Sequence, residues 1–188
     1  MFLKKLFMFL KNIKSFLSEG DSNEIQNISI TLDPVNTIVT DSLKRDKMII
    51  RELKSGDAPQ ITVLLNQLGY TNTDEFIEEK IATLLEDPNE ITLVADENDQ
   101  IIAFISIHFI PQIALKGDFA RISYFCVDKN HRSSGVGKLL EEYCEKASIT
   151  RNCDRIEVHC HSRREKAHAF YYRQEYVESA KYLIKLLK

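Results

Sequence analysis

The chain has 188 residues, 44% hydrophobic and 28% charged, with 25 basic against 28 acidic side chains. That length fits one ordinary domain with a short extension and is enough to bury a core. Six glycines and four prolines exclude a collagenous or Gly/Pro-rich disordered chain, and a net charge of −3 argues against a nucleic-acid binder that works through a general basic excess.

Residues 1–20 stand apart from the rest. Lys4, Lys5, Lys11 and Lys14 against Glu19 give them a charge of +3, which leaves −6 for the remainder of a chain totalling −3. At helical spacing Phe2, Leu3, Leu6, Phe7, Phe9, Leu10, Ile13, Phe16 and Leu17 share one side; the lysines, Asn12 and Ser15 share the other. This predicts a basic amphipathic helix, the composition of a helix that lies on a membrane surface. Peripheral membrane or partner contact through residues 1–17 stays open beside packing on the chain's own domain. A secretory signal does not fit, because the apolar run is short and no small-residue cleavage site follows. No stretch reaches the ~18 apolar residues of a spanning helix. Residues 21–47 are polar, with Asp33-Pro34 and a charged run from Lys44 to Lys47, and read as a linker.

From Met48 a compact domain is expected to run to Lys188. Met48–Leu53 reads as its first strand, and Asp57 as a cap for a helix over 58–68 that ends at Gly69. Thr73-Asp74-Glu75-Phe76 opens a second helix with Phe76, Ile77, Ile81, Leu84 and Leu85 as its stripe, stopped by Pro88. Ile91–Ala95 and Ile101–Ile110 form a hairpin through Glu97-Asn98-Asp99, and Phe119–Val127 is a further strand. Gly135–Ala147 is strongly helical, with Val136, Leu139, Leu140, Tyr143 and Ala147 on one face. Arg155–Cys160 reads as a strand, 163–174 as a helix, and Tyr182–Leu187 as a closing strand. The order predicts an α/β domain with a mixed, mostly antiparallel twisted sheet and helices on both faces.

Cys126, Cys144, Cys153 and Cys160 make no CxxC pair, so they read as reduced thiols of a cytoplasmic protein. Cys126 and Cys160 suit small buried hydrophobes better than nucleophiles. His159 and His161 lack an evident third ligand, so no metal site is expected.

The chemistry concentrates where a strand turns into a helix. In Val127-Asp128-Lys129-Asn130-His131-Arg132-Ser133-Ser134-Gly135-Val136-Gly137-Lys138, two glycines let a ligand approach the backbone. The first-turn N–H groups have no intrahelical partner and sit at the positive end of the helix dipole, a cradle for a pyrophosphate. Arg132 and Lys138 add charge, and Ser133 and Ser134 add hydroxyls. The stretch is neither GxxxxGK[ST] nor GxGxxG. Further on, Ser162-Arg163-Arg164-Glu165 has the form of a capping box opening a helix that presents Ala167, Phe170, Tyr171 and Gln174.

Together these segments resemble the GNAT (GCN5-related) N-acetyltransferases. Arg132-Ser133-Ser134-Gly135-Val136-Gly137 matches the family's [R/Q]xxGx[G/A] acetyl-CoA motif, and Ala167–Tyr176 its A-x-x-F-Y-x-x-x-G-[F/Y] stretch. The resemblance runs from about Met48 to Lys188. It departs at Glu175, where the family has glycine, and around Arg164, where the family often has asparagine.

The resemblance implies an acetyl-CoA-dependent enzyme in which a substrate amine attacks the thioester directly. Arg132, Ser133, Ser134, Gly135, Val136, Gly137 and Lys138 would hold the pyrophosphate, and the edge of Phe125, Cys126 and Val127 the pantetheine and thioester. Tyr171 corresponds to the general acid that protonates the departing thiolate. Glu157 is the first candidate for the base, with His159, His108 and water as alternatives; Glu157 and His159 alternate onto one strand face. The acceptor is a primary amine of a small molecule or protein, and the acidic balance suits a cationic one. A non-catalytic acyl-CoA-binding regulatory module is the alternative, nucleic acid is not an expected partner, and a homodimer is compatible with the pattern.

Overall fold

The computed structural model describes residues 48–179 and 183–187, together with the backbone of Leu32–Asp33 and Asn36–Thr37. The helix expected at 1–20, and the linker expected at 21–47 apart from those four residues, lie outside the described residues. The chain divides into two units between Arg45 and Asp46. In the first, Leu32–Asp33 pairs antiparallel with Asn36–Thr37.

The second unit is built on one five-stranded sheet in chain order: β1 (Met48–Glu52), β2 (Glu90–Glu97), β3 (Gln100–Ile110), β4 (Phe119–Val127) and β5 (Arg155–Val158). Strands β1 to β4 are antiparallel neighbours, whereas β5 runs parallel to β4. The difference follows from the connections. Asn98 and Asp99 close the β2–β3 hairpin with φ of 54° and 64°, a two-residue turn of the kind that matches strand twist. A parallel return needs a long crossover, supplied by a helix between β4 and β5.

Four α-helices cover the sheet: α1 (Ala58–Leu68), α2 (Ile77–Glu86), α3 (Val136–Thr150) and α4 (Glu165–Arg173). Ile105, Ile107 and Phe109 of β3 pack with Val136, Leu140 and Cys144 of α3 and Tyr171 of α4. On the opposite face Phe104 and Val94 meet Ala58, Ile61 and Leu64 of α1 and Ile81 of α2. Central strand β3 is therefore apolar almost throughout, as a strand buried on both faces must be.

Several elements differ from the sequence expectation. Of the strand expected at Tyr182–Leu187, Tyr182 lies outside the described residues and Leu183–Leu187 forms no strand; Leu183, Ile184, Leu186 and Leu187 are exposed, and among the described residues no strand pairs with them. Asp57 does not cap α1 through its side chain. Its carboxylate instead receives both terminal nitrogens of Arg51, at 2.7 and 3.0 Å, and the Lys54 N–H at 2.8 Å; a bidentate arginine outcompetes a cap. The second helix is split: a 3-10 turn at Thr73–Glu75 precedes α2, and Phe76 and Leu85 of its expected stripe are exposed. Ser162 and Glu165 make no capping box, because the Arg164 N–H donates to the His161 carbonyl and α4 begins at Glu165.

Candidate active site

Strand β4 is longer than its parallel partner. The two pair from Phe119/Arg155 to Ile122/Val158 and then part, since β5 ends at Val158 while β4 continues to Val127. At the parting point the β3–β4 register shifts: Ser106 faces Tyr124 and Ile107 faces Ile122, so Ser123 is an inserted, bulged residue. A bulge bends its strand and adds twist, which carries the end of β4 away from β5. The wedge so opened is a cleft of ≈ 190 Å³ with Ser123, Tyr124 and Phe125 on one wall, His159, Cys160 and His161 on the other, and Arg164 and Tyr171 of the α4 region across it.

After β4 the chain turns into α3 through residues 128–135. Ser133 and Gly135 both take left-handed backbone, φ 64° and 90°, and Gly135 caps α3 in that conformation. Leu139 N–H donates to the Gly135 carbonyl at 3.1 Å. The N–H groups of Val136, Gly137 and Lys138 thus come before the first donor of the helical ladder and point out of its end. Side chains contribute less than the sequence suggested. Ser134 Oγ donates to the His131 carbonyl at 2.6 Å, and Arg132 Nε to the Val127 carbonyl at 3.3 Å. Lys138 lies beside Glu142 at 3.6 Å. The loop is itself tied down: Asp128, held to about 2 chiefly by a hydrogen bond from Gln67, links it to α1.

Phe170 joins the loop to the strand. Its ring meets Phe125 edge-to-face at 5.7 Å, and a Cβ on Gly137 would stand 3.4 Å from it and 3.5 Å from Val127. Two helices and β4 therefore converge on a position with room for a methyl and no more. The next residue, Tyr171, is buried against Tyr176 and lines the cleft. Burial pushes its hydroxyl well above the usual tyrosine range, so it stands protonated and able to donate. Glu175 occupies the left-handed turn after α4 at φ 64°; the glycine conformation is kept without the glycine, at a strain of about 1 kcal/mol.

Phe125 and Val127 pack in the α3/α4 core. Cys126 faces α1, donates to the Leu64 carbonyl at 3.4 Å, and burial pushes its thiol up to about 11, as an inert core residue requires. All four cysteines are free thiols. Glu157 is not a wall of the cleft; it pairs with Arg121 at 3.0 Å where the strands are still joined. Sequence reasoning missed Ser123, Tyr124 and Tyr70, the last two in edge-to-face contact at 5.4 Å. A bulge set by register leaves no mark on composition. Among the described residues no group of His, Cys, Asp and Glu is arranged to hold a metal, and no helix is long and apolar enough to cross a membrane.

The bulge opens the sheet between β4 and β5, and the bare first-turn N–H groups of α3 follow β4 in the chain. The family model described as "Acetyltransferase (GNAT) family" matches residues 58–176, most of the chain. The protein belongs to the GNAT acetyltransferase family, whose acetyl donor is acetyl-CoA. Backbone N–H groups bared at a helix N-terminus are of the kind that receives a phosphate.

Solved structures agree in fold. Glucosamine-6-phosphate N-acetyltransferase from Arabidopsis thaliana superposes with a TM-score of 0.67 at 20% identity, over 76% of this chain and 99% of that one. A GNAT family acetyltransferase from Staphylococcus aureus gives 0.64 at 20% identity, over 74% and 98%. An aminoglycoside acetyltransferase from an uncultured soil metagenomic sample gives 0.66 at 20% identity, over 75% and 97%. No curated protein sequence matches the chain significantly.

Proposed function

We propose that this acetyltransferase transfers the acetyl group of acetyl-CoA to a primary amine by direct attack, with no covalent enzyme intermediate. The observation that carries the reading is the bulge-opened cleft between β4 and β5, with Tyr171 within it and the bare N-terminus of α3 following β4 in the chain. The backbone N–H groups of Val136, Gly137 and Lys138 bind pyrophosphate, within a loop shaped by Arg132, Ser133, Ser134 and Gly135. The β4 edge from Phe125 through Cys126 to Val127 aligns the pantetheine arm by strand-like hydrogen bonds, with the Arg132 Nε contact to the Val127 carbonyl given up. Tyr171 gives its proton to the departing thiolate; burial holds the hydroxyl protonated, and the same apolar surroundings raise the basicity of a thiolate formed beside it.

A cationic acceptor, of the polyamine, aminoglycoside or lysine class, fits the net charge of −6 outside residues 1–20 of the −3 chain. The similarity in fold to glucosamine-6-phosphate and aminoglycoside acetyltransferases is consistent with an amine acceptor. The test follows thiol release from acetyl-CoA by the full chain with spermidine, kanamycin and glucosamine 6-phosphate. Tyr171→Phe is expected to slow transfer roughly 100-fold while calorimetry finds acetyl-CoA affinity little changed. Acetyl-CoA binding without thiol release toward any amine, and without effect of Tyr171→Phe, would mark a non-catalytic acyl-CoA-binding module instead.

A further inference from the structure

A row of polar side chains crosses the sheet beside the cleft. Register sets Glu90 of β2 opposite His108 of β3, His108 opposite Arg121 of β4, and Arg121 opposite Glu157 of β5. Their chain neighbours Ile91, Ile107, Ile122 and Val158 pack in the α3/α4 core, so by strand alternation the row lies on the α1/α2 face.

Glu90 is the buried member, its side chain 1% exposed. Oε1 accepts hydrogen bonds from Ser106 and Thr92, each at 2.8 Å. Oε2 has no aligned donor, although it stands 2.7 Å from His108 Nδ1. That ring nitrogen is in line with Ser123 Oγ at 3.0 Å, and Ser123 is the bulged residue on the cleft wall. A buried carboxylate oxygen without a donor is costly, and the cost is relieved when a proton arrives beside it. Burial pushes Glu90 up to about 7, with Asp87 adding to the rise and the Ser106 and Thr92 hydroxyls and the Ile107 N–H opposing it. The other charges facing the row are Arg121 and Glu157, which neutralise each other at 3.0 Å.

Building on the acetyl-transfer reading, we infer that Ser123, His108 and Glu90 form the path that removes the proton from the acceptor amine. An alkylammonium N–H gives its proton to Ser123 Oγ as the Oγ–H passes to His108 Nδ1. The imidazolium so formed carries its positive charge 2.7 Å from Glu90 Oε2, which stabilises it through the field of the carboxylate and not through a hydrogen bond. The neutral amine keeps its lone pair for attack on the thioester carbon. Glu157, engaged by Arg121 and set back from the cleft, holds Arg121 rather than serving as the base.

The experiment compares two nucleophiles on the full-length protein with acetyl-CoA, following released CoA. Spermidine arrives protonated near neutral pH and needs the path; hydroxylamine is already unprotonated and does not. His108→Gln and Glu90→Gln are expected to slow transfer to spermidine about 100-fold, with a loss at least roughly tenfold smaller for hydroxylamine; Glu157→Gln should show no such contrast. Kanamycin and glucosamine 6-phosphate replace spermidine if it is not an acceptor. Equal losses with both nucleophiles, no loss with either, or wild-type transfer to hydroxylamine alone overturns the path and leaves acetyl transfer standing. Wild-type protein that transfers to no nucleophile overturns the acetyl-transfer reading, and the path with it.

Discussion

Glu90 shows at the scale of one side chain how a functional group taxes the fold that holds it. Its carboxyl titrates near 4.5 when unconstrained and is pushed up to about 7 in the folded chain, with burial the largest cause. A folded-state value above the unfolded one means that the group's favourable contribution is complete below about 4.5 and disappears as pH rises through about 7. Glu90→Gln has no proton to lose. Urea denaturation should therefore show the stability difference moving in favour of the variant by roughly 2 kcal/mol between about pH 5 and pH 8, after allowing for partial solvent screening. Asp57 behaves in the opposite sense, because two hydrogen bonds from Arg51 and one from Lys54 outweigh its burial and lower it; its contribution is lost only in acid.

Among elements, the junction of β4 and β5 decides the shape of the cleft. Asp154 N–H donates to the Asp118 carbonyl at 2.8 Å where the two strands begin. Gly117, just upstream, is pressed so closely that a Cβ would stand 2.7 Å from both the Asn152 carbonyl oxygen and the Asp154 nitrogen. Backbone cannot swing aside as a side-chain tip can, so Gly117→Ala should cost about 2 kcal/mol in denaturant melts. Gly56→Ala, where nothing lies within 4 Å, provides the comparison. What the sequence revealed at this scale follows a physical line. Elements with strong periodicity, such as α3 and the β2–β3 hairpin with its Asn98-Asp99 turn, were legible, as was the loop from Arg132 to Lys138. Elements that depend on a neighbour were not. The Leu183–Leu187 run has strand-like composition but no strand beside it, and Asp57 looks like a cap until Arg51 comes across from β1. The bulge at Ser123 and the pairing of Glu90 with His108 are matters of register, which one strand read alone does not contain.

At the scale of the whole molecule, the cores among the described residues draw on positions from Met48 onward, and the basic segment 1–20 carries a sequence pattern of its own. Its lysine-bearing amphipathic pattern predicts that vesicles rich in anionic lipid will co-sediment the full chain but not a fragment beginning at residue 46. Binding should weaken as salt is raised. Equal sedimentation of the two would put the segment's purpose elsewhere. Within the catalytic unit, the extra residue at Ser123 has an effect that reaches past its own hydroxyl: it changes the phase of the strand. Before it, even-numbered Ala120 and Ile122 look toward α3 and α4; after it, odd-numbered Phe125 and Val127 do, while Cys126 looks toward α1. What is fixed at this point is chain length as much as chemistry. Removing one residue would turn the side chains that pack on α3 and α4 through to the α1 side, whereas exchanging one for another would not. The two helix layers are thus met by opposite parities of a single strand, and the parity changes over at one residue.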